Sequence, residues 1–188
     1  MDYKTEKTFD KQDFITTPFP KGEYERCRFI DCNFSNADLS DVRFSECEFI
    51  SCNLSLVKLN KTSFQDVSFK DCKMLGLHLE NCNGFGLSFT FTGCTLDHTS
   101  FFRTKVQKTI FKNCQIHDAD FTECDLTSAL FDTCDLRQST FENTILEKAD
   151  LRTSFHYSIN PQTNKIKKAR FSLPAVVGLL DAFDINVE

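Results

Sequence analysis

Ten cysteines and four histidines are the side chains of this 188-residue protein best suited to chemistry. Pairs such as Cys27-x4-Cys32 and Cys47-x4-Cys52 raise the question of a metal centre. A tetrahedral metal site needs ligands that converge on one point. A Cys–His pair within bonding reach would instead suggest a nucleophile and its base. The sequence has no His-x-x-His or Glu-x-x-His metal spacing, no Gly-rich phosphate loop and no Gly-x-Ser-x-Gly elbow. Whether cysteine and histidine can meet depends on the elements that carry them.

Those elements follow a period of five. Large apolar residues fall at Tyr24, Phe29, Phe34, Leu39, Phe44, Phe49, Leu54, Leu59, Phe64, Phe69, Met74 and Leu79. The series resumes from Phe91 through Phe101, Phe111, Phe121, Phe131 and Phe141 to Leu151. Two residues before each large one from Phe29 to Phe69, and again from Leu96 to Leu151, stands a small or thin residue: Cys, Ala, Val, Thr or Ser. Five matches neither the 3.6 of a helix nor the 2 of a half-buried strand. It suits a backbone that turns a corner every five residues and points one large and one small side group inward. Four sides close a coil of twenty residues, and coils stack at ~4.8 Å, which gives a rod on the order of 35 Å between Tyr24 and Leu151.

All ten cysteines occupy the small inward slot, while His78, His98 and His117 point outward. Consecutive small slots lie on different sides of the coil. The register therefore makes the cysteines compact core fillers and separates them from the histidines. Twenty-residue spacing stacks Cys32, Cys52 and Cys72 on one side and Cys94, Cys114 and Cys134 on another. No catalytic residue, metal ligand or cofactor site is expected, and a packed interior leaves no apolar pocket for a small ligand.

The runs Ala37-Asp38-Leu39, Ala119-Asp120-Phe121 and Ala149-Asp150-Leu151 resemble the A(D/N)Lxx signature of pentapeptide-repeat proteins. The resemblance extends over about residues 20–153. It implies an all-β fold, a right-handed quadrilateral β-helix. It also brings in the Qnr-type quinolone-resistance members: dimeric rods that resemble duplex DNA in shape and charge and bind type II topoisomerases. Family membership by itself leaves activity open.

The sequence divides into an N-terminal cap or ragged first coil (1–23), the repeat (24–153) with a phase break near 84–91, and a C-terminal segment (154–188). At the break Gly84 occupies a central slot and the phase slips by two residues before Phe91. In the last segment Ala169-Arg170-Phe171 restores one pentapeptide. Ser172-Leu173-Pro174 then reads as the start of a short C-terminal α-helix. Its apolar residues Val176, Val177, Leu179, Leu180 and Phe183 are expected to cover the last coil and to form a homodimer interface.

Charge bears on partners. Lys+Arg 22 against Asp+Glu 27 gives a net charge of −5, which argues against direct binding of nucleic acid. No apolar run approaches the ~18 residues of a membrane span. Ten cysteines behind a polar N-terminus suggest a reducing, cytoplasmic setting. Nine acids, Asp118, Asp120, Glu123, Asp125, Asp132, Asp135, Glu142, Glu147 and Asp150, face only Arg137 and Lys148 within the same stretch. They form a candidate partner-binding surface, although the register spreads them over all four sides. The expected function is a non-catalytic binding protein. One form of it is a DNA-mimicking rod that binds DNA gyrase or topoisomerase IV and protects it from quinolones. The other is a protein-interaction scaffold, to which the outward Ile30, Ile50, Ile110, Leu130 and Phe102 would contribute.

Overall fold

A computed structural model describes residues 2–183 and 185–187. Eleven short strands alternate with corners: β1 (Asp2–Thr5), β2 (Thr8–Asp10), β3 (Gly22–Glu25), β4 (Arg28–Ile30), β5 (Arg43–Ser45), β6 (Glu48–Ile50), β7 (Ser63–Gln65), β8 (Val67–Lys70), β9 (Phe89–Thr92), β10 (Ile110–Lys112) and β11 (Leu130–Asp132). Every pairing is parallel. Side one carries β1, β3, β5 and β7, and side two carries the other seven. Sides three and four are columns of isolated parallel bridges, such as Asn33↔Asn53 and Asp120↔Thr140. The result is a four-sided parallel β-solenoid of about seven turns.

The five-residue period has a backbone cause. The second residue after each central one is left-handed, for example Asp31 (φ 51), Glu46 (φ 53), Lys108 (φ 61) and Lys148 (φ 60). Left-handed backbone is unusual for residues other than glycine. Here it recurs at nearly every corner, where neighbouring coils hold it in place. Glu46 N–H, for instance, donates to the Gln65 carbonyl (2.8 Å) and Lys108 N–H to that of Thr127 (2.9 Å).

The central residues stack by side. Phe9, Phe29, Phe49, Phe69, Phe91, Phe111 and Phe131 form one column on side two, with ring centroids 4.7 to 5.3 Å apart. Phe101, Phe121 and Phe141 repeat the arrangement on side four at 4.8 and 5.0 Å. The first coil joins this lattice in register, with Asp2 opposite Gly22 and Phe9 opposite Phe29.

The phase break is absorbed on side one. Gly84 leaves the central slot below Phe64 empty, and the backbone swings outward over residues 83–88. Phe89 then turns inward, is buried, and lies 5.6 Å from Phe64. The coil that contains the break thus runs 22 residues, and Phe69 pairs with Phe91. The two cysteine columns expected from twenty-residue spacing are consequently one. Cys32, Cys52, Cys72, Cys94, Cys114 and Cys134 follow a single corner, with Thr95 N–H bonded to the Cys72 carbonyl across the break (3.0 Å).

The expected C-terminal α-helix does not form. Residues Val176–Leu179 and Asp181–Phe183 are 3₁₀ turns. Nucleating a short α-helix is costly, and this segment is instead tied across the last coil. The Ile159 N–H donates to the Gly178 carbonyl (2.9 Å), and a Cβ at Gly178 would collide with the Tyr157 carbonyl oxygen. Among the described residues no helix is long and apolar enough to cross a membrane.

Candidate functional site

The inner lattice leaves little for chemistry. Cys27, Cys32, Cys47, Cys52, Cys72, Cys94 and Cys134 each donate an S–H to a carbonyl of the preceding coil at 3.2 to 3.4 Å. Those carbonyls belong to central residues of sides one and two. Thr62, Thr99, Ser139, Thr144 and Ser154 make the equivalent bond through a hydroxyl at 2.6 to 3.0 Å. Cysteine is therefore a compact donor as well as a filler, which accounts for its interchange with Thr and Ser. Burial pushes the Cys47, Cys82 and Cys124 thiols up to about 12, so they are neutral. No three His, Cys, Asp or Glu residues among those described are placed to hold a metal ion.

On the surface, the nine acids divide by local role. Asp120, Asp125, Asp135 and Asp150 each stand just before a central residue. Each accepts the backbone N–H two residues on, at 2.9 to 3.2 Å. Asn33, Asn53 and Asp38 do the same. The Asp/Asn of the repeat signature is thus a turn cap. Several acids are also paired with basic groups. Glu123 meets Arg103 at 2.6 Å, Asp150 meets Arg152 at 2.8 Å, and Asp132 lies 4.0 Å from Lys112. Asp118 lies 4.0 Å from His98. Asp120, Asp125, Glu142 and Glu147 make no ion pair among the described residues.

The acids are not brought together. Asp125 and Glu147 lie on side one, Asp132 and Asp150 on side two, Asp135 on side three, and Asp120 and Glu142 on side four. Asp118 and Glu123 sit at left-handed corners. The densest cluster is around Asp135, where His117 Nε2 lies 3.0 Å away, His156 Nδ1 2.8 Å and Arg137 3.7 Å. Burial pushes the Asp135 carboxyl up, but His156 and His117 outweigh it and hold it below the ordinary value. The Arg152 guanidinium likewise holds Asp150 low.

Among the outward aliphatics, Ile110 is 39% exposed opposite half-buried Leu130 on β10 and β11. Ile30 and Ile50 pair across β4 and β6 and are half-buried, and Phe102 lies under the Arg103 guanidinium at 4.7 Å. The most exposed aromatic ring among the described residues is Phe85, 82% exposed on the outward swing. The backbone beneath it is tied through Asn83. Asn83 N–H bonds to the Thr62 carbonyl (2.8 Å), Asn83 Nδ2 donates to Ser63 Oγ (3.1 Å), and Phe85 N–H donates to Asn83 Oδ1 (3.1 Å). This swing walls a cleft of about 380 Å³ on side one, whose other lining residues include Tyr3, Glu25, Arg43 and Gln65. Sequence reasoning does not single out Phe85, yet the signal is present. Once Gly84 takes a central slot, the next residue points outward.

At the C-terminus, Leu179 packs against the core, and Val176 and Leu180 are half-buried. Val177 and Phe183 remain 39% and 42% exposed, beside exposed Leu173, Ile185 and Val187.

Residues 22–101 and 78–151 match the family profile described as the pentapeptide repeat region. No curated protein matches the sequence significantly. Two solved structures share the architecture. A trypsin-treated form of QnrB1, described as a plasmid-mediated fluoroquinolone resistance protein, is 16% identical over 100% of both proteins, with a TM-score of 0.63. HetL, a pentapeptide repeat protein involved in heterocyst differentiation regulation from the cyanobacterium Nostoc sp., is 15% identical over 91% of this protein and 84% of its own length, with a TM-score of 0.66. At these identities the likeness is one of fold.

Proposed function

Because the chain belongs to the pentapeptide-repeat family, we propose that it is a non-catalytic binding rod whose partner is a protein. The observation that carries this reading is the exposed Phe85, carried on a loop tied through Asn83. An aromatic ring left in solvent on a well-tied loop serves no packing purpose and is the kind of anchor that dominates protein contacts. Thiols committed to carbonyls and acids committed to turns fit a role in binding better than one in catalysis.

Within that reading, the partner we infer is a type II topoisomerase, DNA gyrase or topoisomerase IV. Support comes from the likeness to QnrB1 along the whole length and from the net charge of −5. The nine acids would contribute as a diffuse negative field, since they line no single stripe. A two-fold dimer through exposed Leu173, Val177, Phe183 and Ile185 would place the acidic last coils at its centre. The test is a gyrase supercoiling assay with and without a quinolone, run across a salt series. Protection that fades as salt rises supports the topoisomerase reading, and absence of binding at low salt removes it.

Phe85 favours a second reading, a scaffold for an unrelated protein. Such a partner would stay bound with weak salt dependence and be lost from Phe85→Ser, which leaves the melting curve unchanged.

A further inference from the structure

The same outward swing contains a peptide bond with its own reactivity. Asn83 is followed by Gly84, and we propose that Asn83–Gly84 is a self-modification site that deamidates in the folded protein. The reaction uses only the protein and water. The Gly84 backbone nitrogen attacks Asn83 Cγ and forms a C–N bond. The Cγ–Nδ2 bond of Asn83 breaks, and Nδ2 leaves as ammonia with the proton displaced from Gly84. Water then opens the resulting succinimide at either carbonyl, to give aspartate or isoaspartate.

Three features prepare this bond. First, Asn83 is held in an Asx turn with Phe85 N–H bonded to Oδ1 (3.1 Å). The ring closed by that bond contains both the amide carbon of Asn83 and the intervening Gly84 nitrogen. The bonded N–H also stabilises charge developing on Oδ1 as the nitrogen adds. Second, the nucleophile is free. Asn33 and Asn53 occupy the same turn position, but the N–H groups that follow them are committed to the next coil. Phe34 N–H donates to the Asn53 carbonyl and Leu54 N–H to that of Lys73, both at 2.7 Å. The Gly84 N–H makes no such bond among the described residues. Third, the space over the Gly84 Cα is open. A Cβ built on Gly84 would meet no atom within 4 Å, whereas the residues after Asn33 and Asn53 are buried and central. The empty central slot that breaks the lattice is thus what releases the bond.

The product alters its surroundings. The isoaspartyl form adds a methylene to the backbone, and both products replace the Nδ2 donor to Ser63 with a carboxylate oxygen. The loop that presents Phe85 loses a tie, so the exposed surface changes with the age of the molecule.

The experiment follows the folded full-length protein over time at neutral and mildly alkaline pH. Peptide mapping by mass spectrometry is combined with enzymatic methylation of isoaspartate. The Asn83 peptide is expected to gain about 1 Da and to accept methyl groups. Its conversion is expected to outrun that at Asn33 and Asn53 by more in the folded protein than in the unfolded one. The same protein unfolded in denaturant supplies the reference, in which the advantage over Asn33 and Asn53 rests on the glycine alone. Gly84→Ala keeps the fold, because its φ lies outside the left-handed region and the space is open; it is expected to slow conversion several-fold. If folding suppresses conversion at Asn83 as strongly as at Asn33 and Asn53, or if folded Gly84→Ala converts as fast as the parent, the proposal is overturned.

Discussion

Aspartate in this protein serves the corner before it serves any partner. Asp120, Asp125, Asp135 and Asp150 each hold a turn through Oδ1, a role that asparagine fills at Asn33 and Asn53. Charge and shape are therefore separable. Replacing all four with Asn keeps the acceptor while removing four negative charges. We expect stability to change by no more than about 1 kcal/mol per site, since exposed ion pairs contribute little. Asp120→Ala, which has no ion pair to lose, should cost about 1 kcal/mol through the turn bond itself. If the acids steer a basic partner, the quadruple Asn variant binds less and melts nearly as before. Acid titration reports on the same residues. The Asp150 carboxyl is held below its unfolded value by Arg152. Its contribution is complete above the ordinary carboxylate pKa of about 3.9 and is lost as pH falls through the lower folded value. In Asp150→Asn the acid limb of a stability-against-pH curve should be shallower, and an unchanged limb would show that the pair contributes nothing.

The elements that end or interrupt the rod depend on close backbone approach. The C-terminal turns sit against the last coil because Gly178 has no Cβ, and its carbonyl accepts the Ile159 N–H. Gly178→Ala should release the segment at a cost of about 1–3 kcal/mol, because the added methyl overpacks against backbone. Limited proteolysis after residue 171 would detect it, and a protease-resistant variant would show that the cap is held by other contacts. The exposed residues on that cap are a separate matter. Val177→Asp with Phe183→Asp should convert a dimer to monomers in sedimentation without lowering the melting temperature, since neither residue packs in the core. A profile that does not change with these substitutions removes the two-fold model.

Across the whole molecule, stability is a matter of neighbours along the axis. Each coil touches the coil above and the coil below, so energy adds nearly pairwise. Phe111 is fully buried between Phe91 and Phe131, at 5.2 and 4.7 Å. Phe9 has a neighbour in its column on one side only, Phe29 at 4.8 Å. Phe111→Ala should cost about 3–5 kcal/mol, and Phe9→Ala markedly less. Chemical denaturation of the two variants measures the difference. Equal losses would mean that the rod unfolds as one block with no end effect.

The five-residue period and the identity of inward and outward residues were legible in the sequence, because the corner is a local event repeated within five residues. Buried Tyr24, Phe29 and Cys27 and outward His78, His98 and His117 all sit where that bookkeeping puts them. Whatever depends on a neighbour twenty residues away was decided in three dimensions. Two extra residues at the break shift every later partner, so Cys72 stacks on Cys94, and two expected columns become one. The register along the sequence already spreads the acids over four sides, but the basic groups that some of them meet, such as Arg103 for Glu123 and Lys112 for Asp132, come from the preceding coil. The apolar spacing of Val176 to Phe183 suggested a helix, but the last coil offered a carbonyl-to-amide contact at Gly178 that 3₁₀ turns satisfy. The pattern along the sequence sets which way each residue faces; only the stacking of coils determines what it meets there.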